Sequence, residues 1–164
     1  IVASGANACV LHYHENDRKM RSGDLLLIDA GAEVDGMTGD VTRTFPVDGA
    51  FTATQRAVYA VVLRAQLAGI RACKAGAPWD APHRACVRSL TRGLVELGVL
   101  RGDPATLVKS GAFRPYYMHG TSHWLGRDVH DVGGYEDERG RPAPMPAGAV
   151  LTVEPGLYLS LIHI

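Results

Sequence analysis

Residues 24–47 read DLLLIDAGAEVDGMTGDVTRTFPV, and this stretch decides the fold of the surrounding chain. Its first part, Asp24–Ala30, is a short apolar run bounded by glycines, which predicts a buried β-strand. Residues 40–47 alternate in polarity and are rich in β-branched side chains, so they predict a second strand. A turn at Asp35-Gly36 separates the two, and strands this close in sequence most simply pair antiparallel.

This pairing has a chemical consequence for two aspartates. Asp29 lies at the end of the first predicted strand, and Asp40 lies eleven residues later at the start of the second. An antiparallel pair brings those two ends together. The sequence therefore predicts two carboxylates within a few ångströms of each other, as a site for two metal ions requires.

Two helices are expected after the strands. Thr52 and Gln55 form a capping box, which predicts a helix that begins there and runs to about Lys74. Its expected inner stripe comprises Val58, Val61, Val62, Ala65, and Leu67 or Ala68. Asp80 and Pro82 mark the start of a second helix that ends at Gly98.

The remainder of the chain predicts a return to strands. Residues 102–111 form a short polar excursion, and residues 133–148 are rich in Gly and Pro. Residues 116–118 and 149–154 predict two more strands on either side of the Gly/Pro-rich segment. The order of strands, two helices and strands predicts an α+β fold rather than a regular βαβ alternation.

Composition excludes several classes of function. The 17 basic residues balance the 17 acidic ones, so no overall field favours nucleic acid or an anionic membrane as a partner. Arg64 and Arg71 interrupt the most hydrophobic helical stretch, so we expect no membrane span. Cys9, Cys73 and Cys86 are an odd number without metal-ligand spacing, which indicates buried free thiols in a reducing, cytoplasmic compartment.

The length and the ends of the chain suggest part of a larger protein. A chain of 164 residues is long enough for one domain with a real core and too short for two ordinary ones. It begins at Ile1 without an initiator Met and ends on an apolar run with no closing turn. We therefore expect an internal fragment of a longer parent.

Four side chains are candidate metal ligands: Asp29, Asp40, His123 and Glu154. Carboxylate oxygens with a minority of nitrogen suit ions such as manganese or magnesium rather than thiolate-bound zinc. Each residue alone has a simpler interpretation, such as a turn, a cap or a packed histidine. A helical zinc pair of His119 and His123 is disfavoured by nearby glycines and by the absence of the glutamate of a His-Glu-x-x-His motif.

Longer motifs around these residues resemble a known family. They are ASGANACVLHY at 3–13, DAGAE at 29–33, GDVTRTFPV at 39–47, MHGTSHWLGRDVHDVG at 118–133 and LTVEPGLY at 151–158. Together they resemble aminopeptidase P, the Xaa-Pro aminopeptidases of the methionine aminopeptidase/prolidase superfamily. The similarity runs from the first residue to about residue 159.

The resemblance implies a fold and a set of roles. The fold would be the α+β pita-bread fold, incomplete at its C-terminal end, with residues 1–164 as one partial catalytic domain lacking the N-terminal domain and final strands. Asp29 would chelate one metal ion, Asp40 would bridge both, and His123 with Glu154 would bind the second. The residues implied to be catalytic are His12, His119, His130 and Glu154. These three histidines would line the substrate pocket, stabilise the tetrahedral intermediate and relay protons.

One feature of the family is missing from the sequence. Its fifth ligand, a bridging glutamate, belongs to a strand beyond Ile164, and His163 is the only donor late in the chain. With Asp29, Asp40 and Glu154 alone, the site is one carboxylate short of offsetting two divalent ions. The resemblance therefore implies that the fragment by itself is weakly active or inactive.

The implied activity is that of a metallo-aminopeptidase with two divalent ions, Mn²⁺ first and Co²⁺ or Zn²⁺ as alternatives. Its substrates would be peptides with proline at the second position, and its full-length parent would be a homo-oligomer. Prolidase shares the metal scaffold, and a non-catalytic pita-bread module that binds peptides is a further alternative. The dipeptide His123-Trp124 favours aminopeptidase P over prolidase. The presence of residues at all four ligand positions argues against the non-catalytic module.

Overall fold

The computed structural model describes residues 1–159, so His163 lies outside the described residues. Five strands and three α-helices follow one another along this part of the chain. The strands are β1 (Val2–Ser4), β2 (Leu25–Ala30), β3 (Glu33–Val34), β4 (Met37–Thr38) and β5 (Val41–Pro46). The helices are α1 (Ala53–Ala72), α2 (Ala81–Glu96) and α3 (Pro104–Ser110), and a 3₁₀ turn covers Gly5–Cys9.

The predicted antiparallel pair is confirmed as the centre of a three-stranded sheet. The strand order is β1-β2-β5, and both pairings are antiparallel. Asp29 on β2 is directly opposite Thr42 on β5. Between these strands, β3 and β4 form a hairpin whose turn residues Asp35 and Gly36 have φ angles of 53° and 74°. A tight two-residue turn needs this left-handed backbone, which Asp and Gly tolerate.

The two predicted helices are confirmed, and their packing forms the core. Thr52 caps α1 through the predicted capping box with Gln55. Helix α1 buries Val61 and Ala65. Of the two alternatives for the end of the inner stripe, Leu67 is 44% exposed and Ala68 is half-buried, so Ala68 belongs to the stripe. The buried core cluster comprises Val61, Ala65, Val87, Leu90, Leu94, Phe113 and Tyr117.

The predicted strands at residues 116–118 and 149–154 are wrong. Only an isolated bridge between Trp124 and Leu151 occurs there within the described part of the chain. The chain around His123 does run antiparallel to the chain around Thr152, and the amide of Thr152 donates to the carbonyl of His123 at 3.0 Å. The amide of His123, however, donates to the Thr152 side-chain hydroxyl at 3.0 Å and not to a backbone carbonyl. The side chain thus takes the place of one rung of the ladder.

The predicted polar excursion at residues 102–111 is also wrong, because it contains α3. Asp103 caps this helix by accepting a hydrogen bond from the amide of Thr106 at 2.8 Å, and Pro104 is its first residue. Gly111 closes it with a left-handed backbone at φ 72°. These are ordinary start and stop signals of a short helix.

The Gly/Pro-rich segment 133–148 docks on the linker between α1 and α2. The amide of Trp79 donates to the carbonyl of Ala143 at 2.8 Å, and Met145 exchanges backbone hydrogen bonds with residues 76 and 77. The Trp79 ring lies 4.3 Å from the ring of Trp124. This contact fixes the segment that carries His123 against the helical layer.

The three cysteines form no disulfide bond with one another. Cys9, Cys73 and Cys86 are unpaired, and Cys86 is fully buried while the other two are half-buried. Among the residues described, no helix is both long enough and apolar enough to cross a membrane.

Candidate metal centre

The two aspartates lie on one face of the central strand pair. The hydroxyl of Thr42 donates to Asp29 Oδ1 at 2.9 Å across the strands. Asp40 immediately precedes β5 and is two residues from Thr42, so their side chains leave the same face of the extended chain. The sequence missed Thr42, although the register of a two-strand hairpin would have placed it opposite Asp29.

His123 connects this face to the C-terminal part of the described chain. Its Nε2 atom is 3.3 Å from Asp40 Oδ2 and 3.2 Å from Glu154 Oε1. Its Nδ1 atom is 2.8 Å from the carbonyl of Trp124, which can only accept a hydrogen bond. Nδ1 therefore carries the hydrogen, and Nε2 faces the two carboxylates. This orientation of an imidazole is typical of histidines that bind metal through Nε2.

Thr152 orients His123 and Glu154, and this role was not predicted from the sequence. Its hydroxyl accepts the amide hydrogen of His123 at 3.0 Å and donates to Glu154 Oε1 at 2.8 Å. Thr152 is only 7% exposed, so water competes little for these bonds. One hydroxyl therefore ties the backbone of His123 to the carboxylate of Glu154.

The donor atoms around Nε2 of His123 have the spacing of neighbouring ligands of one ion. Donors lie about 2.0–2.2 Å from ions such as Zn²⁺ or Mg²⁺, so neighbouring ligands of one ion are about 3 Å apart. The two contacts of His123 have this spacing. Within residues 1–159, however, no group of three or more His, Cys, Asp and Glu side chains is arranged to hold a metal ion. The types of donor atom at this site still fit a divalent ion.

His119 and His130 both lie near this cluster. The ring of His130 packs edge-on against the ring of His123, with centroids 4.3 Å apart. His119 donates from Nδ1 to the carbonyl of Gly120 at 2.6 Å, and its Nε2 accepts from the hydroxyl of Tyr158 at 2.8 Å. Tyr158 was missed by sequence reasoning, because a tyrosine four residues after Glu154 has no distinguishing pattern.

His12 lies apart from these contacts. It is exposed in the loop after the 3₁₀ turn, where its backbone has a φ of 55°. Its carbonyl oxygen is 3.2 Å from Nδ1 of His14. In residues 1–159, no hydrogen bond or ion pair joins the His12 side chain to the other predicted site residues.

The electrostatics around His119 favour protonated tyrosines. Burial, followed by the charge of Glu154, raises the pKa of Tyr158 to about 12. Burial likewise raises the pKa of Tyr117, whose ring packs edge-on against His119 at 4.9 Å. Both phenols therefore remain hydrogen-bond donors at neutral pH.

A cleft of about 550 Å³ borders the cluster on the side of His119. Its walls include Trp79, His83, Phe113, Arg114 and Thr121, and it does not extend over His123. Trp124 is not among the walls of this cleft, and its ring packs against the ring of Trp79.

The fold and the cluster of carboxylates with imidazole are those of a metallopeptidase. The sequence profile of metallopeptidase family M24 matches residues 1–163, and the chain belongs to that family. The Xaa-Pro aminopeptidases of Haemophilus influenzae and Escherichia coli are each 51% identical to it over 160 residues. These alignments cover 98% of this chain but only 37% and 36% of the two relatives. The chain thus spans little more than a third of the relatives' length.

Solved structures agree with the family assignment and confirm the expected fold. The aminopeptidase PepP of Pseudomonas aeruginosa matches with a TM-score of 0.96 and 46% identity, over 100% of this chain and 37% of that one. A zinc-substituted aminopeptidase P of E. coli in complex with product matches with a TM-score of 0.91 and 51% identity, over 98% of this chain and 36% of that one. The resemblance to the Xaa-Pro aminopeptidases is therefore confirmed.

Proposed function

We propose that this chain supplies most of the metal site of an Xaa-Pro aminopeptidase with two divalent ions. The observation that carries this proposal is the contact of His123 Nε2 with carboxylates from two other segments, Asp40 and Glu154. Its support from comparison is the 51% identity to two Xaa-Pro aminopeptidases. The full-length parent is proposed to be a cytoplasmic homo-oligomer that acts on peptides whose second residue is proline.

The metal-binding residues in this proposal are Asp29, Asp40, His123 and Glu154. Asp40 would contribute to holding both ions, Asp29 would hold one of them, and His123 with Glu154 would hold the other. The hydroxyls of Thr42 and Thr152 orient Asp29 and Glu154 through bonds of 2.9 and 2.8 Å. When bound, two such ions lower the pKa of a water molecule and polarise the scissile carbonyl. Mn²⁺ is the proposed ion, with Co²⁺ or Zn²⁺ as alternatives.

The catalytic residues in this proposal are His12, His119, His130 and Glu154. Glu154 accepts and returns a proton while Thr152 holds one of its oxygens. Tyr158, protonated because its pKa is raised to about 12, provides a hydrogen next to His119. We assign His119 and Tyr158 to stabilising negative charge on the substrate oxygen, for which the hydroxyl of Tyr158 would turn its hydrogen from Nε2 of His119 to that oxygen. His12 and His130 are assigned to the pocket wall and to proton relay.

Metal binding tests the assignment of ligands in the full-length parent. Changing Asp40→Ala should remove both ions, whereas Asp29→Ala should leave one bound, because a bridging ligand serves both. Metal content after dialysis, measured against added Mn²⁺, separates these outcomes. Asp137→Ala is a matched control, since that carboxylate is engaged by Arg141 at 2.7 Å instead. Loss of both ions from the Asp29 variant with one retained by the Asp40 variant would reverse the two roles.

Substrate selectivity tests the proposed activity. The Mn²⁺-loaded parent should release the first residue of a tripeptide with proline second, and should cleave the matching tripeptide with alanine second far more slowly. Comparable or faster cleavage of an Xaa-Pro dipeptide would identify a prolidase, because a dipeptidase must also recognise the nearby carboxyl terminus. A folded parent that binds no metal and cleaves neither peptide would identify a binding module.

A further inference from the structure

A hydrogen-bonded network links helix α2 to the segment that carries His119 and His123, next to Glu154. Its centre is the hydroxyl of Thr121, a polar residue that is only 1% exposed. This hydroxyl contacts the hydroxyl of Tyr117, which is also 1% exposed, and lies 2.9 Å from Nδ1 of His83. None of these three residues belongs to the proposed ligands or catalytic groups.

The backbone of Thr121 reaches the metal cluster directly. Thr121 is two residues from both His119 and His123, so it lies in the middle of the segment that carries them. Its carbonyl accepts the amide hydrogen of Glu154 at 2.9 Å. Any displacement of Thr121 therefore moves the segment of both histidines and the anchor of Glu154 together.

Helix α2 is a firm support for this network. His83 lies in its first turn, while Leu90 and Leu94 in the same helix are fully buried in the core. The hydroxyl of Thr121 is buried and the ring of His83 is half-buried, and polar groups that water cannot reach require hydrogen-bond partners inside the protein. The contact with His83 is therefore a constraint on where Thr121 can lie.

One consistent set of hydrogen bonds runs from Tyr117 through Thr121 to His83. In this set the phenol of Tyr117, which keeps its hydrogen because burial raises its pKa, donates to the hydroxyl of Thr121. Thr121 then donates its single hydrogen to Nδ1 of a His83 ring that carries its own hydrogen on Nε2. Burial lowers the pKa of His83, which suits an accepting, neutral ring despite the opposing influence of Asp80. Arg114 and His119 also face this ring and act in the same sense as burial.

We propose that His83 is a positioning residue for the peptidase reaction, acting through Thr121 to hold His119, His123 and Glu154 in their reactive arrangement. This proposal rests on the proposed function. It assigns a role to a histidine that is outside the proposed metal ligands and catalytic groups. Partners that orient a metal site in this way typically change affinity or activity by about 10–100-fold when they are removed.

The test uses matched substitutions in the full-length parent. Thr121→Val and His83→Leu remove the network, and Thr91→Val is the control because its hydroxyl is equally buried but donates only to its own helix, to the carbonyl of Val87 at 2.8 Å. We expect kcat to fall about 10–100-fold in the first two with KM nearly unchanged. Thr91→Val should retain the kcat of the unmodified parent.

A second readout does not depend on activity. Hydrogen exchange of the Glu154 amide should accelerate in Thr121→Val and His83→Leu, since its acceptor is the Thr121 carbonyl, and should not change in Thr91→Val. His83→Asn keeps a polar atom at the position of Nδ1, whereas His83→Gln places it at the position of Nε2. The Asn variant should therefore recover both kcat and slow exchange, and the Gln variant should not.

Three outcomes would overturn the proposal. The first is a hydrogen-exchange rate of the Glu154 amide that is the same in Thr121→Val as in Thr91→Val. The second is a kcat that falls equally in those two variants. The third is the same kcat and the same exchange rate in His83→Asn as in His83→Gln. The comparison of Asn with Gln remains decisive if the Leu or Val variants do not fold. Absence of Xaa-Pro cleavage by the unmodified parent would refute the proposed function instead, while the exchange measurement would still test the network.

Discussion

Gly31 offers a sharp test of how the fold places the two aspartates. It lies two residues after Asp29, where β2 has just ended, and faces Gly39, the residue before Asp40. A Cβ atom at Gly31 would be 1.9 Å from the carbonyl oxygen of Gly39 and 2.9 Å from its carbonyl carbon. Both obstacles are backbone atoms, so no rotation of a side chain can relieve the contact.

The size of the effect follows from this distance. Carbon and oxygen reach ordinary contact at about 3.4 Å, so Gly31→Ala must separate the two segments by about 1.5 Å. Ions of a dinuclear site are only about 3.5–4 Å apart, and a misplacement of about 1 Å can reduce a reaction about 100-fold. We therefore expect Gly31→Ala in the full-length parent to lower kcat/KM at least about 100-fold and to weaken Mn²⁺ binding.

The assay compares Gly31→Ala with Gly39→Ala. A Cβ atom at Gly39 has its nearest neighbour, the carbonyl oxygen of Ala32, at 3.6 Å, which is ordinary contact. Metal content and Xaa-Pro tripeptide cleavage should therefore be near normal in the Gly39 variant and lost together in the Gly31 variant. Equal metal affinity and equal turnover in the two variants would refute the argument that close backbone contact at Gly31 sets the spacing of the aspartates.

Two further predictions concern stability, measured by urea unfolding of the same parent. Gly93→Ala should lower the free energy of unfolding by about 1–2 kcal/mol, because its Cβ would lie 2.1 Å from Val61 Cγ1 and the overpacking exceeds the gain in helix propensity; a more stable variant would contradict this. Because burial lowers the pKa of His83 below its ordinary 6.5, the unfolded state binds more protons just below pH 6.5, so stability is lost as the pH falls through that value. His83→Asn should lack this part of the acid loss, and parallel pH profiles for the variant and the parent down to pH 5 would contradict the assignment.

The features that could be predicted from the sequence are those that local chemistry decides. The hairpin turn at Asp35-Gly36 follows from two residues that tolerate positive φ, and the start of α1 follows from the reciprocal bonds of Thr52 and Gln55. The pairing that sets Asp29 beside β5 follows from the closeness of two strands in sequence. Each of these rests on a few neighbouring residues.

The features that could not be predicted depend on remote partners. Strand β1 pairs with β2 across the twenty intervening residues 5–24, with Val2 opposite Ile28. The extended segments near His123 and Leu151 fail to form strands because the Thr152 hydroxyl replaces a backbone acceptor, which no propensity records. The contact of His83 with Thr121 joins a helix to a segment 38 residues away. The roles assigned to individual site residues stay predictions.

The topology also implies an order in which the site is assembled as the chain folds. β2 and β5 are separated by only ten residues, so closing their hairpin costs little entropy and should be an early event. His123 reaches Asp40 across 83 residues, after α1 and α2 have packed. If Asp29 and Asp40 bind metal as proposed, a cation that arrives early would be held by these two aspartates alone and would leave again. Slow metal release would then distinguish chains that have finished folding from those that have not.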